Sequence, residues 1–541
     1  MTCNIFGIYI FHSECTFFPN SQLPSRRSIM AEQEHVSEDK GTRSFVFHEI
    51  GTLPKFAWCV QIDKNHPEVH VFHGPSVEVD ESCFVEGAWD SSFQSMEFDR
   101  SFLFMGSGGK IEGDKLLFAA PCHTFELLYS VALKTQVFVS NSLAFLLVRT
   151  ALDLDPSYRK YLLDHKTIMF GFKDYVKAIP TIQGYPARRH YYCNIEVDPE
   201  LGIRELPKAE PPDFIDFNSY RDFLIKSMSD ISRNAMSEDR KITYKLLATL
   251  STGLDSPAST VIAVEAGCRE AVTFRDTSWG GDTFDSGIRI AEVLGLTIRE
   301  FGIREYMSLD GIHEPEFIAS GDAGDVHFRT MEEIFRNRLV VMGHIGDTIW
   351  DPYAKRITSH MWRRDASGSS LAEFRMRAGF IHAPVPTFGC IRHPSIHKIT
   401  MSSEMDPWRI ENYYDRPIPR RIVEEKGVDR NLFGQCKKAT AVWWDSLPPK
   451  RESQESYAQF RQKYKTIRRS LYEKIHQMLY TMHRSWKKTG VRYTRVMRRI
   501  GLNHEIPSPF SRSFTEPADQ DLLFQWGVSM TRDRYTFDDR M

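Results

Sequence analysis

The residues best placed for chemistry lie in LLATLSTGLDSPAST, residues 246–260. There an apolar run ends in Ser251-Thr252-Gly253-Leu254-Asp255-Ser256 and passes straight into a segment able to start a helix. Such a strand, turn and helix aim the turn amides and the positive helix end at one spot, which suits an anion. Gly253 permits close backbone approach, while Ser251 and Ser256 offer hydroxyl donors without bulk. A carboxylate among phosphate-binding donors would repel the ligand unless it holds a divalent cation that bridges to the phosphate, so Asp255 implies Mg²⁺. No GK[ST] follows the turn, so this is not the Walker arrangement.

The elements that must hold this turn are legible on both sides of it. DFNSYRDFLIKSMSDISRNA places Tyr220, Phe223, Leu224, Met228 and Ile231 at helical spacing and marks the entry to a domain. Strands and helices then alternate: YKLLATL (strand), SPASTVIAVEA (helix), EAVTF (strand), FDSGIRIAEVLG (helix, closed by Gly295), TIREFGI (strand) and RLVVMGHIGD (strand into loop). That alternation predicts a parallel sheet wrapped by helices, with ligands at the carboxyl ends of the strands. Upstream, KFAWCVQI, VHVFHG, DKLLFAAP and TQVFVSNSLAFLL read as short strands of a sandwich-like layer. Residues 1–45 read as an extension or linker, with polar AEQEHVSEDKGTR having nothing to bury.

Beyond SLPPK, residues 448–541 turn basic, with 15 Lys or Arg against three Glu between Lys450 and Arg499. The same segment carries a helical apolar stripe: Tyr464, Ile467, Leu471, Ile475, Met478, Leu479, Met482 and Trp486. The expected disposition of this helix is with the stripe packed on the preceding domain and the charges solvated.

A chain of 541 residues exceeds what one core organises, and 41% apolar with 26% charged residues is the profile of a folding globular protein. A formal charge of −2 provides no global field for nucleic acid or an acidic membrane, so electrostatics must act locally. Nine scattered cysteines without a CxxC pair argue against a zinc framework or disulfide scaffold and fit a reducing cytoplasm. The opening MTCNIFGIYIFHSECTFF holds an apolar run too short for a spanning helix and reads as no targeting segment.

The turn at 251–256 resembles the S-G-G-x-D-S pyrophosphate loop of the ATP pyrophosphatase group, which cleaves ATP to AMP and pyrophosphate. AVTFRDTSWGGDTFDSGIRIAEVLGL, HEPEFIAS and RLVVMGHIGDTIWD are similar, in order and distance, to successive elements of glutamine-dependent asparagine synthetases. FVEGAWDSSF, DKLLFAAPCHTFELLYS, VFVSNSLAFLLV and AIPTIQGYPARRHYY resemble that family's glutaminase half more weakly. The family also includes β-lactam synthetases and lasso-peptide cyclases, which lack a working glutaminase.

The resemblance implies an α/β protein in two parts. Residues 46–205 would form a degenerate, Ntn-hydrolase-like αββα sandwich, and residues 215–447 a parallel-sheet ATP-pyrophosphatase domain. It implies that Ser251, Gly253, Asp255 and Ser256 hold the pyrophosphate part of ATP, with Asp255 and Asp347 as Mg²⁺ ligands. His344 stands where the family has Glu or Tyr, and an imidazole there would take a proton from an attacking amine. Lys437 and Lys438 stand where the family has one lysine that stabilises charge on an acyl-adenylate. Thr252 replaces a glycine, Pro257 a serine and Thr348 a glutamate. Cys3, in CNIFGIYIF, resembles the glutaminase nucleophile but follows Thr2, and neither the Arg-Gly-Pro nor the Asn-Gly-Glu glutamine-binding motif follows.

The expected function is therefore an AMP-forming amide ligase that joins a small-molecule or peptide carboxylate to an amine or ammonia, without glutaminase activity. Other readings are glutamine-dependent asparagine synthetase acting through Cys3, tRNA modification with the basic helix following phosphates, and a non-catalytic scaffold. Nucleic acid and membrane are not the expected partners, and a homo-oligomer is compatible with the sequence.

Overall fold

β-Branched and aromatic residues dominate the first half and extend it into short strands. In the computed structural model, residues 43–277, 284–410, 414–438, 440–442, 444, 449–464, 478–479, 482, 485–486, 489, 493 and 522–537 are described. Ser44–Glu49 (β1), Trp58–Asp63 (β2), Glu68–His73 (β3), Glu78–Asp80 (β4), Cys83–Trp89 (β5), Phe104–Glu112 (β6) and Lys115–Ala119 (β7) come first. Leu128–Ala132 (β8), Gln136–Ser140 (β9), Ala178–Ile179 (β10), Ala187–His190 (β11), Cys193–Val197 (β12) and Ile203–Pro207 (β13) complete this half.

The strands form two sheets, ordered β1-β3-β2-β9-β8-β11-β10 and β13-β12-β7-β6-β5-β4. Pairing is antiparallel throughout except between β1 and β3. Trp58, Val60 and Val139 from one sheet share a buried cluster with Phe84, Phe118 and Ile195 from the other, so the sheets pack face to face. A helix, Leu143–Thr150, lies on β2, β8 and β9. The other outer face meets the second half of the chain, whose helix Phe217–Ala235 packs on β5.

That helix opens on a capping box between Asp216 and Ser219 and buries Tyr220, Leu224, Met228 and Ile231, the spacing read from sequence. TQVFVSNSLAFLL differs from the expectation of a strand throughout. The Ser142 side chain accepts from the Phe145 amide, which caps a helix and turns the chain at the end of β9.

Lys245–Thr249 (β14), Glu270–Phe274 (β15), Thr297–Phe301 (β16), Arg338–Met342 (β17) and Ile381–Pro384 (β18) form the expected parallel sheet, ordered β16-β15-β14-β17-β18. Helix Asp255–Glu265 follows β14, and a shorter helix, Ile288–Leu294, precedes β16 and ends at left-handed Gly295. Starting at β14 the chain steps outward to β16 and then returns to the opposite side of β14. The order therefore reverses between β14 and β17, where a parallel sheet leaves a crevice at its carboxyl edge.

One hydrophobic cluster runs from the sandwich (Trp89, Phe104, Phe145) into the parallel-sheet half (Leu250, Ile262, Phe388). A second cluster, on the opposite side of the parallel sheet, includes Val340, Phe374 and Trp526. Trp526 belongs to the helix Leu523–Arg532, which lies against Glu314–Ala319, and its indole donates to Ser456 Oγ at 3.1 Å. Arg534 and Arg377 both pair with the buried Glu316.

The basic segment departs from expectation. A helix covers Arg451–Lys463, and Tyr464 packs on the second cluster, but Met478, Met482 and Trp486 are exposed. Ile467, Leu471 and Ile475 lie outside the described residues, as does Cys3. Among the described residues the seven cysteines are unpaired, and no helix is long and apolar enough to cross a membrane.

Candidate functional site

The turn after β14 and the loop after β17 emerge side by side at the point where strand order reverses. They are pressed together by two glycines. A Cβ on Gly343 would lie 2.7 Å from the backbone of Asp255 and Ser256, and one on Gly346 would lie 2.6 Å from Cβ and Cγ of Asp255. Any side chain at either position would push the two loops apart. Between the glycines Ile345 is held at φ 60°, a conformation β-branched residues avoid and one that recurs where function over-determines the backbone.

This contact brings Asp255 and Asp347 to one cleft, together with Ser251, Gly253, Ser256, Asp285, Asp325, His327, His344, Asp365, Tyr414, Lys437 and Lys438. Every residue expected at the site from sequence therefore lines a single cavity. Two cations meet the two acids. Arg416 Nη1 lies 2.8 and 2.6 Å from the Asp255 oxygens, and Lys437 Nζ lies 3.2 Å from Asp347 Oδ2.

Burial raises the Asp255 carboxyl, opposed by Arg416 and Lys437 and reinforced by Asp347, and the net direction is upward. Burial also pushes Asp347 upward, but Lys437 and then Arg416 outweigh it and hold that carboxyl far below the usual range. Each acid thus feels the other and both cations, so the four side chains form one electrostatic unit.

The hydroxyls are not all presented as expected. Ser251 Oγ accepts from the Gly253 amide at 3.2 Å and keeps its own proton for a ligand, whereas Ser256 Oγ donates to Thr249 O at 3.0 Å. The Ser256 proton is thus committed to closing the strand-to-helix turn. Gly253 adopts no positive φ, and a Cβ there would sit 3.3 Å from Ser251 Oγ and 3.6 Å from Tyr414 Oη. Its small size matters for the width of the cleft. Thr252 is drawn aside: Asp285 Oδ1 accepts from its amide at 3.0 Å and its hydroxyl at 2.5 Å.

The two lysines separate in role. Lys437 points at Asp347, while Lys438 reaches Thr252 Oγ1 at 3.2 Å and the Phe284 carbonyl, bridging the turn to the loop that precedes Asp285. His344 is largely enclosed, with Nδ1 3.3 Å from His382 Nε2 on β18 and the Phe125 ring beside it. Burial, His382 and Arg363 hold its pKa well below the usual imidazole value, so the ring is neutral.

Arg416, Tyr414, Asp325, Asp365 and His382 were not found from sequence. Arg416 arrives from 161 positions beyond its partner, at the start of helix Pro417–Glu424, and no local pattern announces it. Asp325 and Asp365 sit in stretches without periodicity. β18, which brings in His382, is four residues long and carries no alternation.

No family model matches the chain, and the search of curated proteins finds no significant match.

Two largely buried carboxylates at one cleft are a donor set that fits Mg²⁺, a cation that takes one or two protein carboxylates and fills its remaining positions with phosphate oxygens and water. Arg416 and Lys437 now neutralise those carboxylates. A phosphate entering the cleft would compete for both cations and free oxygens for the metal.

Proposed function

We propose that this protein is an ATP-dependent, AMP-forming amide ligase of asparagine-synthetase type, with an Ntn-hydrolase-like first half that no longer acts on glutamine. The observation that carries the reading is the meeting of Asp255, Asp347, Arg416 and Lys437 where strand order reverses between β14 and β17. A bare structural turn would not need two largely buried acids, a buried arginine and a half-buried lysine at the preferred ligand position of a parallel sheet.

Asp255 and Asp347 would hold Mg²⁺, which supplies neutralisation of the departing pyrophosphate. The amides of the 251–256 turn, with the Ser251 hydroxyl, bind its oxygens. A substrate carboxylate oxygen attacks the α-phosphorus, the bond to the bridging oxygen breaks, and pyrophosphate leaves. Lys437 and Arg416 place positive charge where negative charge accumulates in that step. An amine or ammonia then attacks the acyl carbon, AMP leaves with the bond electrons, and neutral His344 receives the nitrogen's proton.

Exchange of labelled pyrophosphate into ATP, screened across carboxylic acids, tests this directly. The wild type exchanges label in the presence of its own acid, and Asp255→Ala lowers the rate by at least about 100-fold. Full exchange by Asp255→Ala would refute the assignment.

A further inference from the structure

A second group of ligating side chains lies behind His344. His123 and Glu126 come from the connection between β7 and β8, and His382 comes from β18, so the cluster joins the sandwich to the parallel sheet. The three residues are almost completely buried, and one ligand atom from each lies within 4.8 Å of the others. Glu126 Oε1 is 3.9 Å from His123 Nε2 and 3.5 Å from His382 Nδ1.

His123 Nε2, Glu126 Oε1 and His382 Nδ1 are buried without a hydrogen-bond partner, and Glu126 Oε2 meets only the Arg375 guanidinium, at 2.8 Å. Leaving so many polar atoms unmet in one place is costly, and native interiors rarely do it. A comparable trio, His190, Cys193 and Glu205, behaves differently. There His190 bonds Glu205 at 2.8 Å through Nδ1 and Ser130 at 2.8 Å through Nε2, which leaves no imidazole nitrogen for a ligand.

The geometry points to a divalent transition-metal site of the zinc class at His123, Glu126 and His382. Two imidazoles with one carboxylate select such a cation over Mg²⁺ or Ca²⁺. Zinc bonds of about 2.0–2.2 Å set ligand separations of about 3.3 Å in a tetrahedron, so each atom need move inward by less than about 1 Å. Water would fill the fourth position. Arg375, whose Nη2 lies 2.8 Å from Glu126 Oε2, is already engaged by Glu86 through both terminal nitrogens at 2.7 and 2.9 Å. Glu86 thus offsets the guanidinium and leaves the Glu126 charge for the metal.

Ligation would cost one contact, the 3.3 Å bond that His123 Nδ1 accepts from the Phe125 amide, because the metallated ring carries its proton on Nδ1. It would also fix His382 with its proton on Nε2, facing His344 Nδ1 at 3.3 Å. The metal would then hold His344 as the Nε2–H tautomer through the hydrogen bond at its Nδ1, so that with metal bound the attacking nitrogen's proton goes to water and not to His344.

The test uses the full chain, purified without chelator for metal analysis by mass spectrometry, then stripped and titrated with Zn²⁺ and Co²⁺. One equivalent of zinc, a higher melting temperature on adding Zn²⁺, and the visible bands of tetrahedral cobalt are expected. His123→Ala and His382→Ala should lose all three, while Asp347→Ala, which alters only the cleft, keeps them. Absence of metal, shift and bands in the wild type overturns the proposal, as does their retention in both histidine variants. Should those variants fail to fold, Glu126→Gln decides: affinity weakened by more than about tenfold supports the site, and unchanged affinity overturns it.

Discussion

Arg416 holds both oxygens of Asp255 with a single guanidinium nitrogen, across 161 residues of sequence. Both partners are largely buried, so removing either strands a charge. Arg416→Ala should destabilise the fold by about 3–5 kcal/mol, because Asp255 and Asp347 then face each other with Lys437 alone between them. Asp255→Asn combined with Arg416→Met should cost less than Arg416→Ala. Chemical denaturation of the three proteins measures this, and equal losses in the single and double variants would contradict the pairing.

The unequal placement of the two lysines separates their effects on catalysis. Lys437→Ala should lower pyrophosphate exchange by about 100- to 1,000-fold, the range for losing one preorganised charge at a transition state. Lys438→Ala, which loosens the turn through Thr252, should raise the ATP requirement and leave the maximal rate within about tenfold. Steady-state exchange kinetics of both variants check the order.

Asp325 gives the cleft a pH signature. Burial pushes its carboxyl from 3.8 up to about 6, while the Ser370 hydroxyl at 2.5 Å and the Gly368 amide at 3.0 Å pull it down. Between these values the folded protein binds more protons at this site than the unfolded chain, so stability falls as pH rises from about 4 to about 6. Urea denaturation across that window should show the slope in the wild type and a flatter profile in Asp325→Asn.

The C-terminal helix is part of the fold of the parallel sheet. Trp526 is fully buried against Trp444 and Tyr457, with ring centroids 5.3 and 5.5 Å away. Trp526→Ala should cost about 3–5 kcal/mol, and a change within 1 kcal/mol would show that the helix detaches freely.

The strands, the turn and Asp255 were legible because each rests on local pattern: an apolar run, small residues at a tip, and a helix start. Asp347 has no such local signal, and its pairing with Asp255 came only from the resemblance of VVMGHIGD to a loop of the asparagine synthetases. Arg416 and His382 were not legible, because each reaches the site through long-range packing that leaves no periodic trace. TQVFVSNSLAFLL misled for the opposite reason, since its apolar run fits strand or helix and the Ser142 cap decides. The exposure of Met478, Met482 and Trp486 shows that apolar residues at helical spacing need not be covered.

Calorimetric titration with ATP, with and without Mg²⁺, tests the central claim most directly. The account predicts binding heat that depends on Mg²⁺, disappears in Asp347→Ala, and is matched by a Mg²⁺-dependent rise in melting temperature. No heat and no thermal shift with Mg²⁺ and ATP present, or full binding by Asp347→Ala, would contradict it.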